Sequence, residues 1–374
     1  MKKYDYLVVG AGLFGAVFAH EAVTRGKSVL VLEKRANPGG NAYTEEQDGI
    51  RIHAYGAHIF HTDDASIWEY VQRFGAFLPY VHSPAANFRG RLYSLPFSMR
   101  TFRQVWGVSD PTEARQIIER QRKECGVEVP RNLEEQAICL VGKDLYETLI
   151  KGYSEKQWGR PCSQLPPELI RRIPLRFTDD ANYFDDPYQG IPQDGYTALV
   201  WRMLSGAEVR LETDYLAQKE VWDELADRII YTGPIDAYYG YALGALAYRT
   251  LAFSRETITL PDFQGRAVVN YTDTETPFTR IIEHKWFTGG KSVDGRDLPY
   301  TIITKEYSRE WRPGDEPYYP VNDAENTARL QAYQKLAGAE SRVFFGGRLG
   351  EYRYYDMDDT ITSALKLSRK LLEP

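Results

Sequence analysis

Tyr6-Leu7-Val8-Val9-Gly10-Ala11-Gly12-Leu13-Phe14-Gly15 is the stretch that decides the fold of this 374-residue chain. Four apolar residues run into a G-x-G-x-x-G loop. A helical pattern follows over residues 16–25, and Gly26 closes it. A second apolar run, Ser28-Val29-Leu30-Val31-Leu32, stops at Glu33, an acid 21 residues after Gly12. Strand, glycine loop, helix, strand and acid together predict a dinucleotide site. Gly10 serves the tight turn, Gly12 admits a pyrophosphate against backbone, and Gly15 lets helix pack on strand. The helix start offers unpaired N–H groups and a partial positive charge to phosphate. Glu33 is placed to accept from a ribose hydroxyl. A second glycine pair lies just beyond, in Pro38-Gly39-Gly40-Asn41-Ala42. It suits a longer cofactor whose pyrophosphate crosses more backbone, which favours FAD over NAD.

Outside this unit the composition is that of an ordinary globular protein, 43% apolar and 26% charged. The length allows two or three domains. Net charge is −6 and no basic stripe appears, which argues against nucleic acid as a partner. Phosphate must therefore be met by local arginines. The cysteines number three, Cys125, Cys139 and Cys162, and their spacing is not metal-like. A reducing, cytoplasmic setting and no metal site are expected. No signal peptide and no membrane insertion are expected either, because no apolar run reaches spanning length. Tyrosine is abundant at 27 copies, many beside Arg, Asp and Pro, as in a wide pocket lined by rings and hydroxyls.

Further along, residues 48–57 read as a short strand pair leading to Gly56-Ala57-His58-Ile59-Phe60-His61-Thr62, a loop facing the cofactor. Residues 65–74 carry an amphipathic helix, and Arg89-Gly90-Arg91 marks a hairpin. The texture then changes. Residues 112–125, 133–141 and 143–151 show helical periodicity, with Asp110 and Asn132 as helix starts. Tyr153 and Trp158 stand among polar residues up to Gly159. Residues 163–184 are proline-rich, carry Arg171, Arg172 and Arg176, and read as a mobile lid. A buried strand at 228–232 is placed to rejoin the first sheet. Residues 251–283 and 301–305 are strand-rich. At the end a strand over 342–348 closes on Gly346-Gly347, and a helix follows over 360–372. Its positive end suits the isoalloxazine ring of a flavin.

These readings give an α/β fold: an FAD-binding Rossmann-like domain with a helical insert and an antiparallel β-sheet domain. The FAD-binding part is expected to be discontinuous, over 1–80, 190–245 and 320–374. The helical domain is expected over 97–165. The sheet domain, with its lid, is expected over 81–96, 166–189 and 246–319. No second G-x-G-x-x-G and no C-x-x-C pair is present, so the flavin lacks an obvious built-in electron partner.

At this point the chain resembles the bacterial UDP-galactopyranose mutases, essentially end to end. The resemblance rests on Gly39-Gly40-Asn41-Ala42-Tyr43, on Tyr55 to Thr62, on Lys151 to Gly159, on Thr279-Arg280-Ile281-Ile282-Glu283-His284-Lys285, on Pro317-Tyr318-Tyr319-Pro320 and on Gly347 to Met357. Ser154 and Leu149 depart from it, where relatives often carry Thr and Phe. The resemblance implies interconversion of UDP-galactopyranose and UDP-galactofuranose through a covalent adduct of the sugar with reduced FAD, with no net redox change. It also implies a homodimer. By matching positions it implies Arg172 and Arg280 on the leaving pyrophosphate and His61 beside the reacting face. Tyr153, Ser154, Trp158, Tyr183 and Phe184 would hold uridine, and Asn270, Tyr319 and Tyr354 would meet phosphate or ribose. Gly10, Gly12, Phe14, Gly15, Glu33, Lys34, Gly40, Asn41, His58, Ile59, Arg348, Asp356 and Met357 would hold FAD. Two other classes share part of the pattern: FAD oxidases of the amine-oxidase type, and flavin-free carriers like the GDP-dissociation inhibitors. The oxidases do not need paired phosphate-binding arginines on a lid, and the carriers lack flavin.

Overall fold

The computed structural model describes residues 3–170 and 174–373. Its first layer grows from the opening motif. Tyr4–Val9 lies in the middle of a five-stranded, all-parallel sheet, with Val29–Leu32 on one side and Ala226–Tyr231 on the other. Glu208–Arg210 and Val343–Phe345 complete the edges. Val8 pairs with Val31 and with Ile230, and Ile230 pairs with Phe344, so chain segments more than 300 residues apart share one register row. Val8, Leu30, Val31 and Ile230 have no exposed surface. Parallel strands covered on both faces read as continuous apolar runs for this reason.

One face of the sheet is covered by the helices Leu13–Thr24, Gly195–Met203 and Met357–Leu372. Two glycines of the loop cannot be replaced. Gly10 adopts φ 104° against the Thr232 hydroxyl, and a Cβ on Gly15 would strike the Gly10 carbonyl oxygen. Leu13–Thr24 begins at Gly12 with no side-chain cap, which leaves its first N–H groups to a ligand.

The second layer is a seven-stranded sheet. In spatial order it runs Tyr319–Pro320, Tyr248–Ile258, Thr301–Glu310, Arg280–Glu283, Val268–Tyr271, Ala85–Phe88 and Arg91–Ser94. All pairs are antiparallel except Val268–Tyr271 with Ala85–Phe88. Arg89 and Gly90, both at positive φ, make the hairpin turn that the sequence marks. A small third sheet joins Phe60–Thr62, Tyr188–Pro192 and Phe77–Pro79.

The helices Met99–Trp106, Pro111–Cys125 and Leu133–Val141 pack on one another around Phe102, Ala114 and Ala137. Asp110 and Asn132 cap the last two by accepting from backbone N–H groups. Two local readings need correction. The periodicity over 143–151 is not one α-helix: Lys143–Leu145 leads into a wide π-turn over Tyr146–Ile150. One such turn adds a residue to the helical ring and rotates the residues beyond it by about 100°. Residues 152–158, to which the sequence reading gave no element, lie in the helix Lys151–Trp158, ended by Gly159 at φ 68°. Finally, the last helix starts at Met357 rather than at residue 360, with Asp356 as its N-cap. Within 163–184 the regular structure is confined, among described residues, to short turns at Cys162–Gln164 and Pro167–Ile170 and a single parallel bridge from Leu175 to Phe97. Among the described residues, no helix is long and apolar enough to cross a membrane.

Candidate functional site

A single cavity of about 760 Å³ runs from the glycine loop to the seven-stranded sheet. At one end it is lined by Gly10, Gly12, Phe14, Glu33, Lys34, Gly40 and Asn41. Glu33 is buried at 6% exposure, and one of its oxygens accepts from the Ala11 N–H at 2.8 Å. The other accepts from the Arg35 N–H at 2.9 Å. A carboxylate has about four acceptor sites, so capacity remains for a ribose hydroxyl. Gly15 does not line the cavity; it lies beneath the loop, where the helix meets the strand.

Arg35 and Glu316 belong to this end, and sequence reasoning gave neither a role. Arg35 sits 4.5 Å over the Tyr55 ring and donates to Asn41 at 3.2 Å and to Glu316 at 2.9 Å. Lys34 reaches the other oxygen of Glu316 at 2.6 Å. Burial opposes the Glu316 charge, but Arg35 and Lys34 outweigh it and hold its carboxyl below the usual range. The segment containing Glu316 is thus tied like a strap to Lys34 and Arg35, just beyond the second strand of the opening unit. Nothing local in its sequence could have shown that.

The middle is lined by His58, Ile59, His61, Arg348, Asp356 and Met357. The His58 Nδ1–H donates to the Gly56 carbonyl at 2.8 Å, and burial pulls this imidazole down to about 4, so it is neutral. Arg348 lies 4.9 Å over Tyr354, and Tyr354 stacks on Tyr319 at 5.6 Å and 16°. The N-terminus of Met357–Leu372 opens at this point.

The far end is built on one transverse row of the large sheet. Phe253, Glu306, Arg280, Asn270 and Ala86 are successive cross-strand partners. Cross-strand partners show their side chains on one face, which gathers Glu306, Arg280 and Asn270 from three strands. Arg280 donates to the Tyr153 hydroxyl at 2.6 Å, and its Nε lies 3.2 Å from Glu306, a carboxylate with 1% exposure. Burial alone would depress the Arg280 guanidinium, but Glu306 and the surrounding tyrosines outweigh it and raise its pKa, so the charge is permanent. Burial pushes the Tyr153 phenol up to about 12, which keeps it a neutral hydrogen-bond partner.

Tyr153 reaches the cavity from the helix Lys151–Trp158. Lys156 ties that helix to the sheet by donating to the carbonyls of Tyr271, Thr276 and Phe278 at 2.8, 3.0 and 3.1 Å. Trp158 does not line the cavity; it packs against the cluster of the helical insert. Five residues along an α-helix is about 140° of rotation, which carries it away from the face of Tyr153. Ser154, about 100° round, is not a lining residue either. Tyr183 and Phe184 are lining residues. Arg172 lies outside the described residues.

His61 stacks on Phe184 at 3.7 Å and 17°, and Phe184 stacks on His82 at 5.5 Å and 25°. Burial pulls His82 down to about 3. Its Nδ1 is buried without a partner among the described residues. The same holds for Arg35 Nη1, Arg348 Nε and Asn270 Oδ1. These groups all line the one cavity. Buried polar atoms without partners are costly, so their clustering marks a polar ligand. Free helix N–H groups, unpaired guanidinium nitrogens and stacked rings fit a dinucleotide at one end and a nucleotide sugar at the other.

The comparisons agree with this layout. A profile described as UDP-galactopyranose mutase matches residues 148–354, and one described as an NAD(P)-binding Rossmann-like domain matches residues 8–74. A probable UDP-galactopyranose mutase of Klebsiella pneumoniae is 39% identical over all of this chain and 96% of its own. A dTDP-fucopyranose mutase of Escherichia coli is 37% identical over 97% of each chain. The crystal structure of a reduced UDP-galactopyranose mutase superposes with a TM-score of 0.74 at 15% identity, over 99% of this chain and 96% of that one, which shows the shared fold. With its whole length matched by such relatives, the chain belongs to the UDP-galactopyranose mutase family and is an enzyme of pyranose–furanose isomerisation.

Proposed function

We propose that the chain interconverts UDP-galactopyranose and UDP-galactofuranose with FAD as its cofactor, active in the reduced form. The observation that carries this reading is the row Glu306–Arg280–Asn270, with a permanently charged arginine facing the cavity. When bound, reduced FAD supplies the nucleophile that holds the anomeric carbon while the nucleotide diphosphate is detached. Gly10, Gly12, Phe14, Glu33, Lys34, Gly40 and Asn41 would bind its ADP half. His58, Ile59, Arg348, Asp356 and Met357 would surround the flavin ring.

This chain's own residues do the rest. Arg280 meets the charge that builds on the β-phosphate as the anomeric bond breaks, with Arg172 as its counterpart on a lid over 163–184. Tyr153, Tyr183 and Phe184 enclose the nucleoside, while Asn270, Tyr319 and Tyr354 contact phosphate or ribose. The division into FAD-binding, helical and lid-bearing sheet domains, and a cytoplasmic homodimer, are part of the same proposal. Flavin-loaded protein incubated with UDP-galactofuranose should form UDP-galactopyranose under dithionite and stay nearly inactive without it. The name of the E. coli relative makes dTDP-fucopyranose the comparison substrate, and faster turnover of that sugar would reassign the substrate. Peroxide formation with oxygen uptake would refute the isomerase reading.

A further inference from the structure

His61 is held by an acid that sequence reasoning did not single out. Its Nδ1 lies 2.5 Å from Asp186 Oδ2. Asp186 is itself fixed. Its backbone carbonyl accepts from Gln189 Nε2 at 2.8 Å, and Gln189 is the register partner of His61 across the small third sheet. Phe184 stacks on the imidazole and sets its plane. Two residues of one turn thus determine the ring's tilt and its hydrogen bond. A carboxylate only accepts, so the Nδ1 carries a proton, and the Nε2 is the nitrogen left to hold or release a second one. His61 lines the cavity, and its side chain is 17% exposed. Asp358, in the first turn of Met357–Leu372, is the other acid near it.

The reaction in this cavity, on the reading proposed above, needs a proton carrier. Turning a pyranose into a furanose exchanges the ring oxygen. O5 gains a proton as its bond to C1 opens, and O4 loses one as it closes on C1. We infer that Asp186 is a positioning residue for this exchange, holding His61 so that its Nε2 gives a proton to O5 and takes one back from O4. The cycle balances: the ring begins and ends doubly protonated, with the Asp186 carboxylate opposite its charge, and no external acid or base is consumed. In the opposite direction O4 receives the proton and O5 returns it. Departure of the nucleotide diphosphate comes before the exchange and needs none of it.

That separation gives the test. Reduced holoenzyme is given UDP-galactopyranose carrying ¹⁸O at the bridge between C1 and the β-phosphate. Scrambling of the label over the phosphate reports anomeric bond cleavage and return. Furanose formation reports the whole exchange. In Asp186→Ala, furanose formation should fall about 10²-fold, the scale of one general acid–base group, while scrambling stays near the wild-type rate. Asp186→Glu should restore part of the loss. Asp186→Asn, which keeps the side chain's shape, guards against a folding defect, checked by flavin absorbance and melting temperature. Parallel loss of scrambling and furanose formation in the Asn variant would overturn the inference, as would unchanged furanose formation. Wild-type protein that shows neither scrambling nor furanose would instead overturn the mutase reading on which the inference rests.

Discussion

At the scale of single residues, the site depends on a few side chains whose partners are already fixed. Glu33 spends two lone pairs on the Ala11 and Arg35 N–H groups before any ligand arrives. Glu33→Ala should therefore loosen the glycine loop and also lose a ribose contact. We expect FAD to bind more weakly by about 1–3 kcal/mol, the cost of leaving buried polar groups unpaired, read by flavin fluorescence during dialysis. Arg280 is a different case, because in the proposed reaction its charge is needed most as the anomeric bond breaks. Arg280→Ala should lower turnover about 10²–10³-fold with a normal flavin spectrum. Arg280→Lys should rescue poorly, since it keeps the charge but loses the two-pronged fork. Glu306→Gln leaves Arg280 without its buried counter-charge and should destabilise the protein by about 3–5 kcal/mol. UDP, by supplying negative charge to the same arginine, should return much of that loss in a melting experiment.

At the scale of elements, the helix Lys151–Trp158 shows how a motif reaches its site. Gly152 allows the helix to touch the chain beyond Val268–Tyr271, and a Cβ there would strike the Thr272 carbonyl oxygen and lie 3.0 Å from the Asp273 carbonyl carbon. Both obstacles are backbone and cannot rotate away. Gly152→Ala should lift the helix, break the 2.6 Å bond between Tyr153 and Arg280, and cost about 1–3 kcal/mol as overpacking. A higher KM with intact flavin, alongside a lower melting temperature, is the expected result. Much of this was legible in the sequence as composition but not as shape. The string from Lys151 to Gly159 carries helix formers next to a glycine, two large rings and polar residues, and without an apolar face it gives no period to read. The π-turn at Tyr146–Ile150 hides the phase further, because it adds a residue to the ring just before the helix that bears Tyr153.

At the scale of the whole molecule, the cofactor end is closed by a long-range contact. Glu316, from the stretch after Thr301–Glu310, pairs with Lys34 and Arg35 beside the glycine loop. Its carboxyl is held below its ordinary value of 4.5, so the pairing contributes above that value and is lost as pH falls through the lower, folded value. FAD should accordingly leave faster as pH falls through that lower, folded value. Glu316→Gln should release FAD faster at neutral pH and show a flatter dependence over the same acid range. Stopped-flow fluorescence of released flavin distinguishes the two. High salt should weaken the wild-type strap more than the variant, because the pair is partly exposed and ions screen it.

The sequence by itself determined the opening βαβ unit, the helical insert with its two caps, and the Arg89–Gly90 hairpin. These rest on local rules: apolar runs, glycines that only one backbone shape explains, and capping residues next to a helical period. It also placed Tyr153, Arg280, Asn270 and Tyr319 among site residues through resemblance, without showing what would bring them together. Only the tertiary structure decided that. The alignment of Glu306, Arg280 and Asn270 in one row is a matter of strand register, and a shift of one residue would have turned each side chain to the opposite face. The strap from Glu316 to Lys34 and the bond from Asp186 to His61 join residues 282 and 125 positions apart. No periodicity in a chain encodes such a pairing. It follows from two sheets and a turn packing into a single body around one cavity.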